Sequence, residues 1–254
     1  MIKSILRATR IEFSFMKERK WSMLFFFIVP SLIMVLFAKI FLQPIDWGQY
    51  QSLNLTFYDL YGAGILTLVM VFVTVQFVIL RIVGERAPYG TLDRDLLAIP
   101  EVPMYIGKLI TNFVFVFLQC LLLFFVVTRL FPLRNYGDPS IIFLILMLVS
   151  LFGLALGLAI SIFSKSKEQA TQFVPFIVLL LFISGGFMTG INYPSTIQPI
   201  IDNSPLMLAN MSLKMTMLDG VSFGEILTKI YVLLFWNIGL ILVGLIGFKM
   251  RGKK

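Results

Sequence analysis

Six stretches of this chain are each apolar over about the 20 residues that a helix needs to cross a lipid bilayer. Their apolar residues do not alternate with polar ones, so they suit helices rather than the strands of a membrane barrel. Hydrophobic residues make up 59% of the 254 residues and charged residues 13%, which is more apolar than a water-soluble domain of this length needs to be. The sequence therefore predicts an all-α integral membrane protein, a single transmembrane domain over 1–254 with six transmembrane helices at 22–42, 53–80, 109–131, 140–163, 171–188 and 226–248.

The chain lacks the residues of common enzyme sites. It has no histidine, the commonest general base and metal ligand, and its single cysteine, Cys120, lies in an apolar run. Its Gly107-Lys108 pair is followed by Leu109 and is not part of a phosphate-binding loop of the form G-x-x-x-x-G-K-[S/T]. We therefore predict no catalytic, metal or cofactor site in this chain and no nucleotide hydrolysis of its own.

Basic residues are concentrated on one side of the predicted membrane domain. Of the 21 Lys and Arg residues, 16 fall in one alternating set of termini and loops and 5 in the other. Because basic segments tend to stay inside the cell, both termini and the loop at 81–108 are predicted to be cytoplasmic, with 189–225 outside. The net charge is +8, and the basic residues that produce it flank apolar spans and form no separate basic domain. We therefore expect a multi-pass protein of the cell membrane with no nucleic-acid partner.

Residues 1–20 form a basic and partly amphipathic segment before the first span. Such a segment can fold as a helix that lies in the membrane interface, with its basic side chains near anionic lipid. We predict this interfacial helix, and a frayed basic tail is the alternative. Its apolar face would comprise Ile2, Ile5, Leu6, Phe13 and Met16, and the basic residues beside that face are Lys3, Arg7, Arg10 and Lys17.

The loop at 81–108 is the longest charge-rich interval between two long apolar segments. Pro88 and Gly90 end the preceding helix, and Thr91 can cap a short new one on which Leu92 and Leu96 share a face. A helix of about two turns is not stable alone in water, so its apolar face must pack against something. An ordinary loop folded back on its own helices and a docking element for a soluble partner are the two explanations. The charged residues expected to lie in water are Arg81, Glu85, Arg86, Asp93, Arg94, Asp95, Glu101 and Lys108.

The polar residues inside the predicted spans are neutral. No Asp, Glu, Lys or Arg is predicted at mid-depth of a span, whereas ion-coupled carriers generally need ionisable groups there. Gly153 and Gly157 in the fourth span predict a close approach by another helix, from this chain or from a second one. Hydrogen bonding between helices and the lining of a substrate path are the two explanations for Thr74, Gln76, Gln119 and Asn237.

The predicted outer segment at 189–225 is cut into short pieces by three prolines. Ser204 followed by Pro205 predicts the start of a helix, and Gly220 predicts its end. The Leu and Met residues between them are too apolar for a solvated loop and too interrupted for a full span. We predict one or two short re-entrant or interfacial helices in the outer leaflet, and a collapsed outer loop is the alternative.

The loop at 81–108 also carries an ordered motif that resembles the ABC type-2 permease family. The motif lies between the second and third predicted spans, and it departs from the family pattern at Tyr89, where a charged residue is usual. Its members in this sequence are Glu85, Gly90-Thr91-Leu92, Leu96-Leu97, Pro100 and Gly107-Lys108.

This resemblance implies an elbow helix before the first span, a cytoplasmic coupling helix between spans two and three, and short outer helices before span six. It also implies the permease subunit of an exporter in a prokaryotic cell membrane, partnered by an ABC ATPase that binds ATP and Mg and by a second permease chain, as a homodimer or heterodimer. The expected cargo is an amphiphile such as a drug, an antimicrobial peptide or a lipid-like molecule, in the manner of the drug-efflux branch. A polysaccharide or lipid-linked glycan exporter, a secondary carrier, and a membrane immunity or scaffold protein are the alternatives. The residues implied to couple to the ATPase are Glu85, Gly90, Thr91, Leu92, Arg94, Asp95, Leu96 and Pro100.

Overall fold

A computed structural model describes residues 1–18, 20–41, 57–84, 99–130, 135–164, 166–185 and 194–251. Within these ranges the chain consists of helices and short connections, with no strand, as the all-α prediction requires. The helices are α1 (Ile2–Glu18), α2 (Lys20–Phe41), α3 (Phe57–Gly84), α4 (Glu101–Leu130), α5 (Pro139–Phe163), α6 (Lys167–Ser184), α7 (Gln198–Asp202), α8 (Pro205–Lys214) and α9 (Phe223–Arg251), and α8 continues into a π-helical turn at Met215–Asp219.

Four helices in the described chain, α3, α4, α5 and α9, are long and apolar enough to cross a membrane. A fifth span results if Ile2–Glu18 and Met23–Leu36, which meet at a bend of 70°, are taken together. The span predicted at 171–188 falls on α6, whose apolar part, Gln172–Ser184, is shorter. The described residues therefore carry four or five spans by length and composition, and the count of six stays a prediction.

Helices α3 and α5 pack most closely where α5 has glycine. A Cβ atom added to Gly153 would lie 2.9 Å from Thr74 Cβ, and one added to Gly157 would lie 2.9 Å from Val78 Cβ. Carbon atoms do not approach so closely without strain, so a larger residue at either position would force the helices apart. The close approach predicted from the glycine spacing is confirmed, and it lies within one chain.

Helix α9 makes polar contacts to α4 and α5. The Asn237 Nδ2 atom donates to the main-chain oxygen of Leu148 at 3.2 Å, and the Tyr105 hydroxyl donates to the main-chain oxygen of Ile241 at 3.0 Å. The other face of α9 exposes large apolar side chains, with Phe235 75% exposed. Such a face suits lipid or a second chain better than water.

The segment after α6 folds back onto the bundle. The Ser204 hydroxyl donates to the main-chain oxygen of Ser184 at 2.7 Å and accepts from the Met207 amide at 3.3 Å, so it caps α8. The π-helical turn that follows α8 ends at Gly220, whose φ of +61° is the left-handed conformation that favours glycine. The helix predicted between Ser204 and Gly220 is confirmed, and its fully buried Leu213 packs into the protein. Its place in the outer leaflet stays a prediction.

Candidate functional site

Helix α1 lies directly against the first turns of α4. A Cβ atom added to Gly107 would lie 2.7 Å from Ala8 Cβ and 2.9 Å from the main-chain nitrogen of Thr9. The Thr111 hydroxyl donates to the main-chain oxygen of Thr9 at 3.4 Å, one turn further along α4. Small residues on both helices thus bring the two backbones together. The Gly107 of the sequence motif is the residue that permits this contact.

The contact predicts that Gly107→Ala lowers stability even though alanine favours helices. A methyl group would press on the backbone of α1, and overpacking of this kind costs about 1–3 kcal/mol. Gly239→Ala is the matched control, because a Cβ at that position of α9 meets nothing within 4 Å. We expect the control to be neutral or to gain up to about 1 kcal/mol from helix propensity. Thermal unfolding midpoints in detergent measure both, and equal midpoints would mean that α1 does not pack on α4.

This α1–α4 contact encloses a cluster of charged side chains. Glu12 is completely buried, and its carboxylate forms ion pairs with the Arg81 guanidinium and the Lys108 ammonium. The Lys108 Nζ atom lies 2.5 Å from Glu12 Oε1, and the second carboxylate oxygen accepts from Arg81. Arg81 is 8% exposed and Lys108 3%. One carboxylate on α1 therefore binds a cation on α3 and a cation on α4.

Asn112 completes what we call the Glu12 cluster: Glu12, Arg81, Lys108 and Asn112. Its side-chain oxygen accepts from the Arg81 guanidinium at 2.5 Å, and its Nδ2 atom donates to the main-chain oxygen of Lys108 at 2.7 Å. Asn112 is itself completely buried. Buried ions are stable only when opposite charges and hydrogen bonds replace the water they lose, and this arrangement supplies both.

The Glu12 cluster corrects one prediction. The sequence predicts that Arg81 and Lys108 lie in water as part of a charged loop. This is wrong for both, because α1 supplies a carboxylate that replaces solvent. Arg81 lies in the last turn of α3, and Lys108 lies two turns into α4. The two cations therefore flank residues 85–98. Glu12 anchors α1 to both ends of this stretch.

Of the residues in the predicted apolar face of α1, Met16 alone is among the buried residues of the helix. Ala8, Glu12 and Met16 are the buried residues of α1, at the four-residue spacing of one helical face. Ile2 is 73% exposed and Leu6 63%. The helix turns Glu12 to the protein and Ile2 and Leu6 outward, which is the orientation that an interfacial helix beside lipid would adopt.

The residues implied to couple to an ATPase fall mainly outside the described residues. Pro100 is exposed, and its carbonyl accepts from the Met104 amide at 3.1 Å, so it immediately precedes α4. The implied coupling residues that lie outside the described ranges are Glu85, Gly90, Thr91, Leu92, Arg94, Asp95 and Leu96.

The four neutral polar residues of the spans lie on three helices, with Thr74 and Gln76 on α3, Gln119 on α4 and Asn237 on α9. The Thr74 hydroxyl bonds to the Met70 oxygen within α3, and Gln119 Nε2 donates to the Phe27 oxygen of α2 at 3.4 Å. Asn237 bonds to α5, as described above, and Gln76 is half-buried. Gln119 and Asn237 thus join neighbouring helices. The lining of a substrate path stays a prediction for these residues.

A chain whose described residues form helices, four or five of them apolar spans, is a multi-pass membrane protein. Comparison with known families identifies it further: the family model described as ABC-2 type transporter matches residues 3–218. The chain therefore belongs to the ABC-2 type transporter family, a transport family and not a catalytic one. The match includes every member of the Glu12 cluster and the whole of residues 85–98. No curated protein matches the chain in the corresponding comparison.

Proposed function

We propose that this chain is the permease subunit of an ABC exporter that moves an amphiphilic substrate out of the cytoplasm or the inner leaflet. A separate ATPase subunit binds ATP and Mg and hydrolyses the nucleotide. Membership of the ABC-2 type transporter family supports the permease role. The observation that carries the proposed mechanism is the Glu12 cluster, because it fixes the end of α3 and the start of α4 to α1 on either side of residues 85–98.

In the proposed mechanism the ATPase binds the short coupling helix within residues 85–98. Leu92 and Leu96 form the apolar contact, and Arg94 and Asp95 make polar contacts at its rim. Glu85, Gly90, Thr91 and Pro100 shape the turns on either side. Closure of the ATPase on ATP then displaces this helix, and the displacement reaches α3 and α4 through their adjoining ends.

The Glu12 cluster would make those two ends move as one body with α1. Separating a buried ion pair costs about 3–5 kcal/mol, which is much more than the cost of bending an exposed loop. A force applied at residues 85–98 would therefore shift α1, α3 and α4 together instead of pulling α3 away from α4. Rigid bodies that move as units are the usual basis of switching between two states.

The substrate path and partners follow the same proposal. Two permease chains, identical or sister subunits, enclose a path through the membrane, and both termini of each chain lie in the cytoplasm of a prokaryotic cell. The side-chain oxygens of Gln119 and Asn237 are buried and accept no hydrogen bond from the described residues. Such oxygens could accept from a polar group of a passing substrate, with Thr74 and Gln76 as further members of the path.

The positions of the buried ions favour an ATP-driven exporter over a secondary carrier. Ion-coupled carriers place ionisable residues deep in the membrane. Glu12, Asp59, Arg81 and Lys108 are buried here. Asp59 and Arg81 lie in the end turns of α3, Lys108 lies two turns into α4, and Glu12 lies on α1 before the first predicted span. Charges near helix ends suit a link to a cytoplasmic loop better than an ion path across the bilayer.

The test is purification in mild detergent from native membranes, with identification of the proteins that accompany the chain. We expect an ABC ATPase at a constant ratio, and ATP hydrolysis in proteoliposomes that rises when the permease is present. An ATPase-free preparation that transports when an ion gradient is applied would indicate a secondary carrier. A partner that binds without any change in ATP hydrolysis would indicate a scaffold or immunity protein.

A further inference from the structure

A groove lies in the angle between α1 and α2. Its volume is about 690 Å³, which is within the range of small-molecule sites in proteins, roughly 300–1,000 Å³. Its walls are mainly apolar, with Phe13 from α1, Leu24 from α2 and Phe115 from α4. The rings of Phe13 and Phe115 are 5.7 Å apart, so all three helices meet at this groove.

Three basic residues, Arg10, Lys17 and Lys20, also line the groove. All three are exposed, and none of the residues that line it in the described chain is acidic. Two acidic residues lie near these cations in sequence. Glu18 is exposed and does not line the groove, and Glu12 is held by Arg81 and Lys108 on the packed side of α1. The groove therefore combines an apolar wall with concentrated positive charge at the end of the first predicted span.

We propose that this groove binds an anionic phospholipid. The phosphate lies against Arg10, Lys17 and Lys20, and the upper part of an acyl chain lies along Phe13 and Leu24. Basic pockets beside membrane helices are suited to anionic lipid headgroups, because charge attraction and apolar burial act on the same molecule. A free phosphate would gain nothing from the apolar wall. A zwitterionic lipid such as phosphatidylcholine has the same phosphate, but it also carries a choline cation that the three basic residues repel.

Native mass spectrometry of the purified chain tests the wild-type site. The chain in neutral detergent is titrated with phosphatidylglycerol and, separately, with phosphatidylcholine of the same acyl chains. We expect the first to bind at least about tenfold more tightly, because only its headgroup carries net charge. Equal binding of the two lipids would overturn the proposal without any variant. Competition by inorganic phosphate at the same concentrations would instead indicate a site for free anions.

Two matched double variants test which cations form the site. Arg10→Gln with Lys17→Gln removes one Arg and one Lys that line the groove, and we expect phosphatidylglycerol to bind about 25-fold more weakly, roughly fivefold for each charge. Lys3→Gln with Arg7→Gln removes the same charge from exposed positions on α1 outside the groove. We expect a change of less than about threefold there. Equal losses of phosphatidylglycerol affinity in the two double variants would mean that the lipid is attracted to the basic helix as a whole and not to the groove.

A third variant tests the apolar wall without altering charge. Ser14 lines the groove, and Ser14→Trp should fill it and weaken phosphatidylglycerol binding about tenfold or more. Each variant is compared with wild type for elution volume and unfolding midpoint. If a variant unfolds, the lipid preference measured on the wild-type chain still tests the proposal. If Ser14→Trp leaves lipid binding unchanged but separates a dimer, the groove is a contact between two copies and the lipid proposal is wrong.

Discussion

Replacing Glu12 by glutamine is expected to destabilise the protein by roughly 3–5 kcal/mol, because the substitution removes a carboxylate that two buried cations share. Glutamine has nearly the same size as glutamate, so the loss of stability measures the missing charge and not a change in packing. Denaturant unfolding in detergent measures the difference, together with the thermal midpoint. Glu18→Gln is the control on the same helix, since Glu18 is exposed, and we expect its effect to be within about 0.5 kcal/mol.

A second substitution distinguishes charge imbalance from general damage to α1. Lys108→Met removes one of the cations that Glu12→Gln leaves behind, and apolar residues of similar volume often replace buried ions at little cost. The double variant should therefore be more stable than Glu12→Gln alone. If Glu12→Gln behaves like Glu18→Gln, the Glu12 cluster does not stabilise the chain. If adding Lys108→Met lowers the stability of the Glu12→Gln variant further, the two positions do not act as a pair.

The sequence alone was sufficient to predict features set by neighbouring residues along the chain. Apolar length predicts α3, α4, α5 and α9, because a helix satisfies its own backbone wherever its environment is apolar. The spacing of Gly153 and Gly157 predicts a close approach, because both lie on one face of a helix. Ser204 and Gly220 mark the ends of a helical segment by local capping and turn geometry. Each of these features depends on residues a few positions apart.

The Glu12 cluster could not be predicted in this way, because its members are far apart in sequence. Glu12 lies 69 residues from Arg81 and 96 from Lys108. Considered locally, each is a charged residue beside an apolar span and belongs in water. One signal was present: Glu12 is four residues from both Ala8 and Met16, so a lone acid occupies an otherwise uncharged helical face. A face of this kind indicates a contact with a basic partner, and only the packing of α1 against α4 identifies which one.

The same distinction applies to the coupling residues. Leu92 and Leu96 are predicted from spacing and from the family resemblance, and they lie outside the described residues. They stay predictions, and the described structure fixes only the helix ends on either side of residues 85–98. A short segment between two fixed helix ends can transmit force only if a partner binds it. The coupling prediction therefore depends on how tightly the ATPase binds residues 85–98 and not on the fold of the permease.

Leu96→Asp is the substitution that should weaken this affinity most. A carboxylate would replace an apolar side chain in the contact with the ATPase, and the lost burial plus desolvation should cost on the order of 2–5 kcal/mol of association. That corresponds to about 30-fold or more in the dissociation constant. Co-purification of the ATPase and ATP hydrolysis by the reconstituted complex should both fall. Arg94→Ala, at the expected rim, should cost only about 0–1 kcal/mol.

The stability of the permease separates the effect of Leu96→Asp from that of Glu12→Gln. Leu96 lies outside the spans and outside the Glu12 cluster, so Leu96→Asp should insert in the membrane and unfold at the wild-type midpoint while it loses its ATPase. Glu12→Gln should show a lowered midpoint whether or not the ATPase is present. If Leu96→Asp retains wild-type co-purification and hydrolysis while inserted, the ATPase binds elsewhere, and the Glu12 cluster then anchors a loop with another role.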